Sequence, residues 1–258
     1  MAFEIVAANL RQSFRVVAAH RKGGEVKEME GVSIASAGVT FQMFNAAFLS
    51  APVISEVQMG LRAAEAAVYF AARGQRWAYW ICQSWLDSRT QRRLPALLRQ
   101  RHLYPAVELP GMLAEEVLPS LRALPQLDLR RVCDGPVKDA FCAIGSTCFN
   151  VPLAWFSEVF DSPSVWNDFA AYVGYVDGEP VATAATVIGG GAVGVYNVAT
   201  MPGRRRGGYG EAVMRHALAQ ARGESGLSQS ILQSTPQGFE LYRRMGYRTV
   251  TSVSVFCS

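Results

Sequence analysis

The sequence predicts an α/β chain of the α+β kind, with mixed, largely antiparallel sheets arranged in two tandem lobes, residues 1–126 and 127–258. Three observations carry this. Runs rich in β-branched and aromatic residues alternate with stretches whose apolar residues recur every three or four positions. In the second half, three strand-like runs follow at short intervals, separated by Asp177-Gly178 and Gly189-Gly190-Gly191, the pattern of an antiparallel meander. The coarse order of strands, helix, strand, helix and extended run then occurs twice, first from Val32 onward and again in the second half. With 258 residues, 50% of them apolar, the chain can bury a sizeable core.

In the first half, Phe3, Val6, Ala7, Leu10, Phe14, Val17 and Ala18 have the spacing of an amphipathic helix ending near His20. Arg21 to Gly31 reads as a charged connection. Strands follow around Val32–Ala35 and Val39–Phe48, and Pro52 ends the second. A long helix from Ile54 to Arg73 carries Val57, Leu61, Ala64 and Val68 on one face, with Gly74 as its C-cap. Trp77–Gln83 reads as a buried strand, Thr90–Arg101 as a helix with Leu94, Leu97 and Leu98 inward, and Leu103–Leu109 as an extended run. Aromatic side chains bury large areas and suit strands, so Trp77, Tyr79 and Trp80 are assigned to the core rather than to a stacking platform. Leu113–Leu118 fits a short strand or a short helix, and Pro119–Gln126 reads as the linker.

In the second half, Leu127–Cys133 reads as a strand, and Val137–Phe149 and Leu153–Phe160 as helices. The meander follows, over Phe169–Val176, Val181–Ile188 and Val193–Ala199. Its three consecutive glycines suit a flexible hairpin tip. Ser230–Gln233 is a short strand. Thr235 as N-cap and Pro236 at the first helical position begin a helix that runs to Met245 and stops at Gly246. Tyr247–Phe256 is the final extended segment.

The most informative stretch is Asn197 to Gly210, Asn-Val-Ala-Thr-Met-Pro-Gly-Arg-Arg-Arg-Gly-Gly-Tyr-Gly. A strand ends at Pro202, and from Glu211 to Arg222 the residues Val213, Met214, Ala217, Leu218 and Ala221 fall on one helical face. The first N–H groups of such a helix lack intrahelical partners and lie at the positive end of its dipole. Gly207, Gly208 and Gly210 remove Cβ atoms, so backbone N–H groups can converge on phosphate oxygens while Arg204, Arg205 or Arg206 add charge-assisted bonds. The stretch lacks the Lys-Ser/Thr of a Walker loop. It also lacks the third glycine of a dinucleotide G-x-G-x-x-G, since Val213 stands there.

Composition narrows the remaining classes. A formal charge of +4, from 25 basic and 21 acidic residues, is a mild excess scattered along the chain. It does not form the basic stripe of a nucleic-acid binder. Cys82, Cys133, Cys142, Cys148 and Cys257 are odd in number and contain no C-x-x-C pair, which argues for free thiols over a disulfide or zinc framework. His20, His102 and His216 are isolated, so no metal is expected. Met1–Arg21 lacks the ordered regions of a signal peptide, and Glu56, Arg62 and Glu65 interrupt the longest apolar stretch. A cytoplasmic protein with no membrane or nucleic-acid partner is expected, and a homodimer is among the assemblies left open.

Arg205, Gly208 and Gly210 match a [QR]-x-x-G-x-[GA] signature, preceded by Pro202. Downstream lies Phe239-Glu240-Leu241-Tyr242-Arg243-Arg244-Met245-Gly246-Tyr247, a tyrosine-bearing helix followed by Gly and an aromatic residue. In this order, after a meander, the two motifs resemble those of the GCN5-related N-acetyltransferases (GNAT), over about Leu127–Cys257. The resemblance implies the GNAT acyl-CoA N-acyltransferase fold for residues 127–258 and a degenerate GNAT-like domain for 1–126. Between Phe48 and Leu61 the first half has neither an arginine nor a glycine pair, so one acetyl-CoA per chain is expected.

Carried over position by position, the resemblance implies that backbone groups of Val198, Ala199 and Thr200 bind the thioester and pantetheine arm. Arg205, Arg206, Gly207, Gly208, Tyr209 and Gly210 bind the pyrophosphate. A backbone N–H near Val198 polarises the thioester carbonyl, and Tyr242 is the general acid for the departing thiolate. No general base is assigned. Glu158, Asp161 and Asp168 precede the meander, where they could approach the acceptor side, but each reads first as an ordinary surface carboxylate. The expected activity is acetyl-CoA-dependent transfer of an acetyl group to an amine of a small molecule or a protein. The alternative is a catalytically inactive CoA-binding regulatory or structural protein.

Overall fold

The alternating strand and helix signals are realised in a computed structural model that describes residues 1–258. In the first half, α1 (Ala2–Ala19) precedes β1 (Glu25–Met29), β2 (Val32–Ser36) and β3 (Asn45–Leu49). Then come α2 (Glu56–Ala71), β4 (Ala78–Cys82), α3 (Ser88–Arg99) and β5 (Tyr104–Ala114). The second half opens with β6 (Asp128–Arg131), α4 (Gly135–Phe149) and α5 (Leu153–Val159). It continues with the meander β7 (Ala170–Val176), β8 (Glu179–Gly189) and β9 (Ala192–Thr200), and ends with α6 (Tyr209–Ser225), β10 (Ser230–Gln233), α7 (Phe239–Arg244) and β11 (Arg248–Cys257).

All eleven strands form one sheet, in the order β1-β2-β3-β4-β11-β5-β10-β9-β8-β7-β6. Reading outward from the central β11–β5 pair, β4 matches β10, β3 matches β9, β2 matches β8 and β1 matches β7. The two parallel pairs, β3–β4 and β9–β10, fall at matching places, and the remaining pairs are antiparallel. The centre is made by exchange. β5, the last strand of the first half, lies between β10 and β11, and β11 lies between β4 and β5. The sheet therefore continues across residue 126 without a break.

Alternation along the strands loads both faces with apolar side chains. On one face, α1 sets Leu10 and Phe14 against Ala35, Ala46, Phe48 and Val253, while its Val16 and Val17 join the core under α4 and α5. On the other face, α2 and α3 cover the first half, and α6 and α7 cover the second. Trp77 and Tyr79 are buried in the core beneath α2.

α1 ties the halves together through one polar side chain. Asn9 is fully buried, and its Nδ2 lies 3.1, 2.8 and 2.9 Å from the carbonyl oxygens of Val187, Gly189 and Ala192. Its Oδ1 accepts a 2.6 Å hydrogen bond from the Tyr196 hydroxyl. The β8–β9 hairpin is thus pinned beneath α1 rather than being a free tip, and a side chain at Gly190 would meet Ala8.

Four local expectations change. Residues 25–29 form an edge strand, because the hairpin with β2 supplies hydrogen bonds that the charged sequence does not advertise. The strand expected from Val39 begins only at Asn45. That buried side chain accepts from the N–H groups of Gly38 (3.0 Å) and Val39 (3.2 Å) and donates to Val39 O (2.8 Å), holding the preceding loop without a ladder. α7 starts at Phe239, since Gly238 N–H donates to Thr235 O (3.1 Å) and closes a turn first. On α2, the covered face is Met59, Ala63, Ala66 and Phe70, and Val57, Leu61 and Val68 point outward.

Replacing Asn9 by Leu leaves buried carbonyls and the Tyr196 hydroxyl without partners, at about 1–3 kcal/mol for each unsatisfied group. Urea unfolding of Asn9→Leu is expected to show a loss of about 3 kcal/mol; a loss below about 0.5 kcal/mol would remove Asn9 as the lock.

Candidate active site

The site arises where β9 leaves its neighbours. With β10 it pairs only at Val193 and Gly194, and beyond these the two parallel strands diverge. On the other side, the ladder with β8 passes from Ala185↔Tyr196 to Thr183↔Ala199, so Asn197 and Val198 fall out of register. Asn197 adopts a left-handed conformation (φ 49°), which asparagine tolerates better than most residues, and its carbonyl accepts from Thr183 Oγ1 at 2.8 Å. This bulge turns the backbone at Val198 toward the gap.

The chain then makes one short 3-10 turn over Pro202–Arg204 and enters the glycine-rich segment. Arg206 (φ 66°) and Gly208 (φ 85°) are both left-handed, a sequence of conformations that aims successive N–H groups inward. Gly208 is the N-cap of α6 and offers no side chain to the first N–H groups of the helix, which leaves them for a ligand. A Cβ on Gly210 would lie 2.7 Å from Thr200 Oγ1, so the helix start sits against the strand end only because that atom is missing.

A cleft of about 530 Å³ lies over this segment. Val198, Ala199, Thr200, Arg205, Arg206, Gly208, Tyr209, Gly210 and Tyr242 all line it, and Gly207 lies in the chain between two of its lining residues. Four arginines, Arg122, Arg205, Arg206 and Arg244, face the cleft together with a single carboxylate, Glu211. Glu211 is already paired with Arg215 at 2.9 Å. The unpaired charge is therefore positive, as an anionic ligand requires.

Tyr242 is buried, and its hydroxyl makes no hydrogen bond within the chain. Burial pushes its pKa up to about 12.

Several lining residues carry no local sequence signal. Arg122 lies in the segment assigned as a linker, and it reaches the cleft because residues 122 and 125 pack against Gly208. Cys148 and Phe149 arrive from the end of α4, where the Cys148 thiol lies 3.3 Å from Thr200 O. Only tertiary structure brings them there. Arg244 belongs to the same short helix as Tyr242 and was within reach of a motif reading.

The three carboxylates considered for the acceptor side bind the other half of the chain instead. Glu158 accepts from Thr40 N–H at 2.9 Å, Asp161 pairs with Arg21, and Asp168 lies 2.8 Å from His20 Nε2. None of them lines the cleft.

The matching place in the first half is shut. Beyond β3 and β4 the chain pairs again, with a parallel bridge between Val53 and Leu86 and a 2.8 Å bond from Val53 N–H to Trp85 O. The buried Arg62 donates to Ala51 O (2.7 Å) and Pro52 O (2.9 Å), inside the turn that would have to receive a phosphate.

Residues 167–249 match the family model for an acetyltransferase (GNAT) domain. No curated protein matches the sequence. Among solved structures, the chain is similar to a GCN5-related N-acetyltransferase from Kribbella flavida, with a TM-score of 0.70 and 19% identity over 100% of this chain and 95% of that one. It is also similar to a GCN5-related N-acetyltransferase from Sphaerobacter thermophilus (TM-score 0.54, 12% identity, 88% of this chain and 76% of that one). A tandem GNAT protein from the clavulanic acid biosynthesis pathway aligns with a TM-score of 0.53 and 11% identity, over 92% of this chain and 80% of that one. At these identities the likeness is one of fold.

Valine at position 208 would have to hold a left-handed conformation that costs a non-glycine residue roughly 1–2 kcal/mol. With CoA as the anionic probe of this cleft, Gly208→Val and Arg205→Ala are each expected to lower the affinity measured by calorimetry at least tenfold, with unchanged far-UV circular dichroism. Undiminished affinity in both would move the anion site elsewhere.

Proposed function

We propose that this chain, whose residues 167–249 match the model of a GNAT acetyltransferase domain, transfers an acetyl group from acetyl-CoA to an amine. The observation that carries the reading is the coincidence, in one cleft, of the diverging β9–β10 pair, the left-handed Arg206–Gly208 turn at the start of α6, and the unpaired phenol of Tyr242. The cleft suits a long ligand with an anionic end, because glycines leave room at the helix start and the arginines balance several negative charges.

Acetyl-CoA supplies the activated thioester. Arg205, Arg206 and the N–H groups from Gly208 to Gly210 would hold the pyrophosphate, and the backbone of Val198 to Thr200 would hold the pantetheine arm. Val198 N–H, freed by the bulge, would donate to the carbonyl oxygen on which negative charge develops.

Tyr242 remains protonated through neutral and mildly alkaline pH. A full proton transfer from a phenol of pKa about 12 to a thiolate of ordinary pKa about 8.5 is uphill by roughly 4–5 kcal/mol. Tyr242 therefore acts first as a hydrogen-bond donor to sulfur. The proton shed by the attacking amine completes departure of the thiol.

The cleft holds no histidine, and its one carboxylate is engaged by Arg215. The acceptor amine then reacts as the neutral fraction present in solution. For an amine of pKa about 10.4, this costs roughly 4–5 kcal/mol at pH 7, against the 7–11 kcal/mol that alignment of two reactants can supply. A small-molecule amine and an exposed protein amine both fit this chemistry. The five free thiols suit a reducing compartment, and we place the protein in the cytoplasm. No helix is long and apolar enough to cross a membrane.

Thiol release from acetyl-CoA across a panel of amines tests the reading. Tight CoA binding with no acyl transfer to any of them would instead favour a CoA-binding protein without catalysis. Tyr242→Phe is expected to lower kcat at least tenfold while KM for acetyl-CoA stays within threefold.

The pH profile supplies a second check. kcat/KM should rise tenfold per pH unit up to the pKa of the acceptor, and this limb should move when the acceptor is changed. Because the folded-state pKa of Tyr242 is raised, its protonated form persists as pH increases, and the loss due to its ionisation should appear only near pH 12. A limb near pH 6–7 that is independent of the acceptor would reveal an enzymic base.

A further inference from the structure

α2 has two apolar faces, and only one is used. Met59, Ala63, Ala66 and Phe70 are buried against the sheet. Ile54 at the helix entrance, with Val57, Leu61 and Val68, keeps 82%, 74%, 61% and 70% of its surface exposed. On the helix itself, Val57, Leu61, Ala64, Val68 and the exposed Ala71 follow the alternating three- and four-residue spacing of a coiled-coil seam. Three large aliphatic side chains in one stripe on a single helix, with the exposed Ile54 just ahead of its N-cap, are more than scattered surface apolarity.

The geometry points to a second copy of this chain as the occupant, with the two α2 helices antiparallel across a twofold axis. In that arrangement Leu61 meets Ala64 of the partner and Val57 meets Val68, so each layer sets a large side chain against an equal or smaller one. A parallel pairing would set Ala64 against Ala64 and leave a void.

The flanks agree with the antiparallel choice. Gln58 Oε1 is occupied by Ile54 N–H at 2.9 Å, which leaves its amide as a donor. On the same flank, one heptad further along, is the exposed Glu65, and antiparallel packing brings the partner's carboxylate to that amide. The opposite flank carries Gly60, where a Cβ would meet nothing within 4 Å beyond the adjoining backbone of its own helix. A helix-interior glycine with open space beside it suits the close approach of another helix. The interface is isologous, so it closes at a dimer.

Sedimentation equilibrium and light scattering of the full chain over a range of concentrations should give twice the 28.1 kDa chain mass. Leu61→Glu and Val57→Lys, both at exposed positions, should each return the monomer mass while retaining wild-type circular dichroism and thermal stability. The register has its own test, in a Cys133→Ser background. A mixture of Val57→Cys and Val68→Cys chains should form an intermolecular disulfide, whereas Val57→Cys alone should not, since its two copies lie about 16 Å apart along the helices. A monomer at all concentrations, a dimer unaffected by both charged variants, or a complex formed only with a different protein would each overturn the inference. None of these readouts depends on acetyl transfer.

Discussion

The pairing of β5 with β11 is the constraint on which the rest of the molecule depends. Each strand ends one half of the chain and is inserted into the sheet of the other, so neither half has a complete sheet alone. The ladder runs from Leu113↔Arg248 to Tyr104↔Cys257, and removing either strand would expose two strand edges at once. It also shapes the cleft. β10 is only four residues long, and β5 supplies its ladder partner on one side, leaving its other side free to part from β9 beyond Ile231. An unpaired opening within a sheet is tolerable when the neighbouring strands are fixed from elsewhere, and here the exchange fixes them.

The same topology has two outcomes in one molecule. At both parallel pairs a strand ends, the chain turns, and a helix covers the sheet. In the second half the turn contains left-handed Arg206 and Gly208 and the gap stays open. In the first half, Val53 re-forms a bridge to Leu86, and the guanidinium of Arg62 takes two carbonyls of the turn. A phosphate entering there would have to displace a buried, hydrogen-bonded cation and break a backbone bond. Closure gives the first half a different use, as the platform from which α1 sends Asn9 under the β8–β9 hairpin.

Much of this was legible in the residues, and the exceptions share a cause. Helical periodicity located α1, α2, α4 and α6, and the glycine-punctuated runs located β7, β8 and β9, because those signals are local. The turn at Arg205–Gly210 was legible for the same reason, since glycines and arginines before an amphipathic helix carry their physics with them. β1 was not, because its strand state comes from pairing rather than from its charged sequence. The buried face of α2 was misleading for a related reason: two stripes compete on that helix, and periodicity does not say which one meets the sheet. Glu158, Asp161 and Asp168 read as free carboxylates until Thr40, Arg21 and His20 arrive from more than a hundred residues away.

The exchange also accounts for the most surprising lining residue, Arg122. β5 ends at Ala114 in the middle of the sheet, and the next strand, β6, lies at the far edge beyond β10, β9, β8 and β7. The connection must cross four strands, on a face already covered by α6. It does so past the start of that helix. Leu118 N–H donates to Met245 O at 3.0 Å and Leu118 O accepts from Arg215 at 2.7 Å, then residues 122 and 125 rest on Gly208, and Leu127 packs near Gly174. A route set by strand order thus carries an arginine across the mouth of the glycine-rich turn. Two halves with unexchanged strands would have no reason to run a connection there. The cleft therefore belongs to the whole chain, although the motifs that announce it lie in the second half.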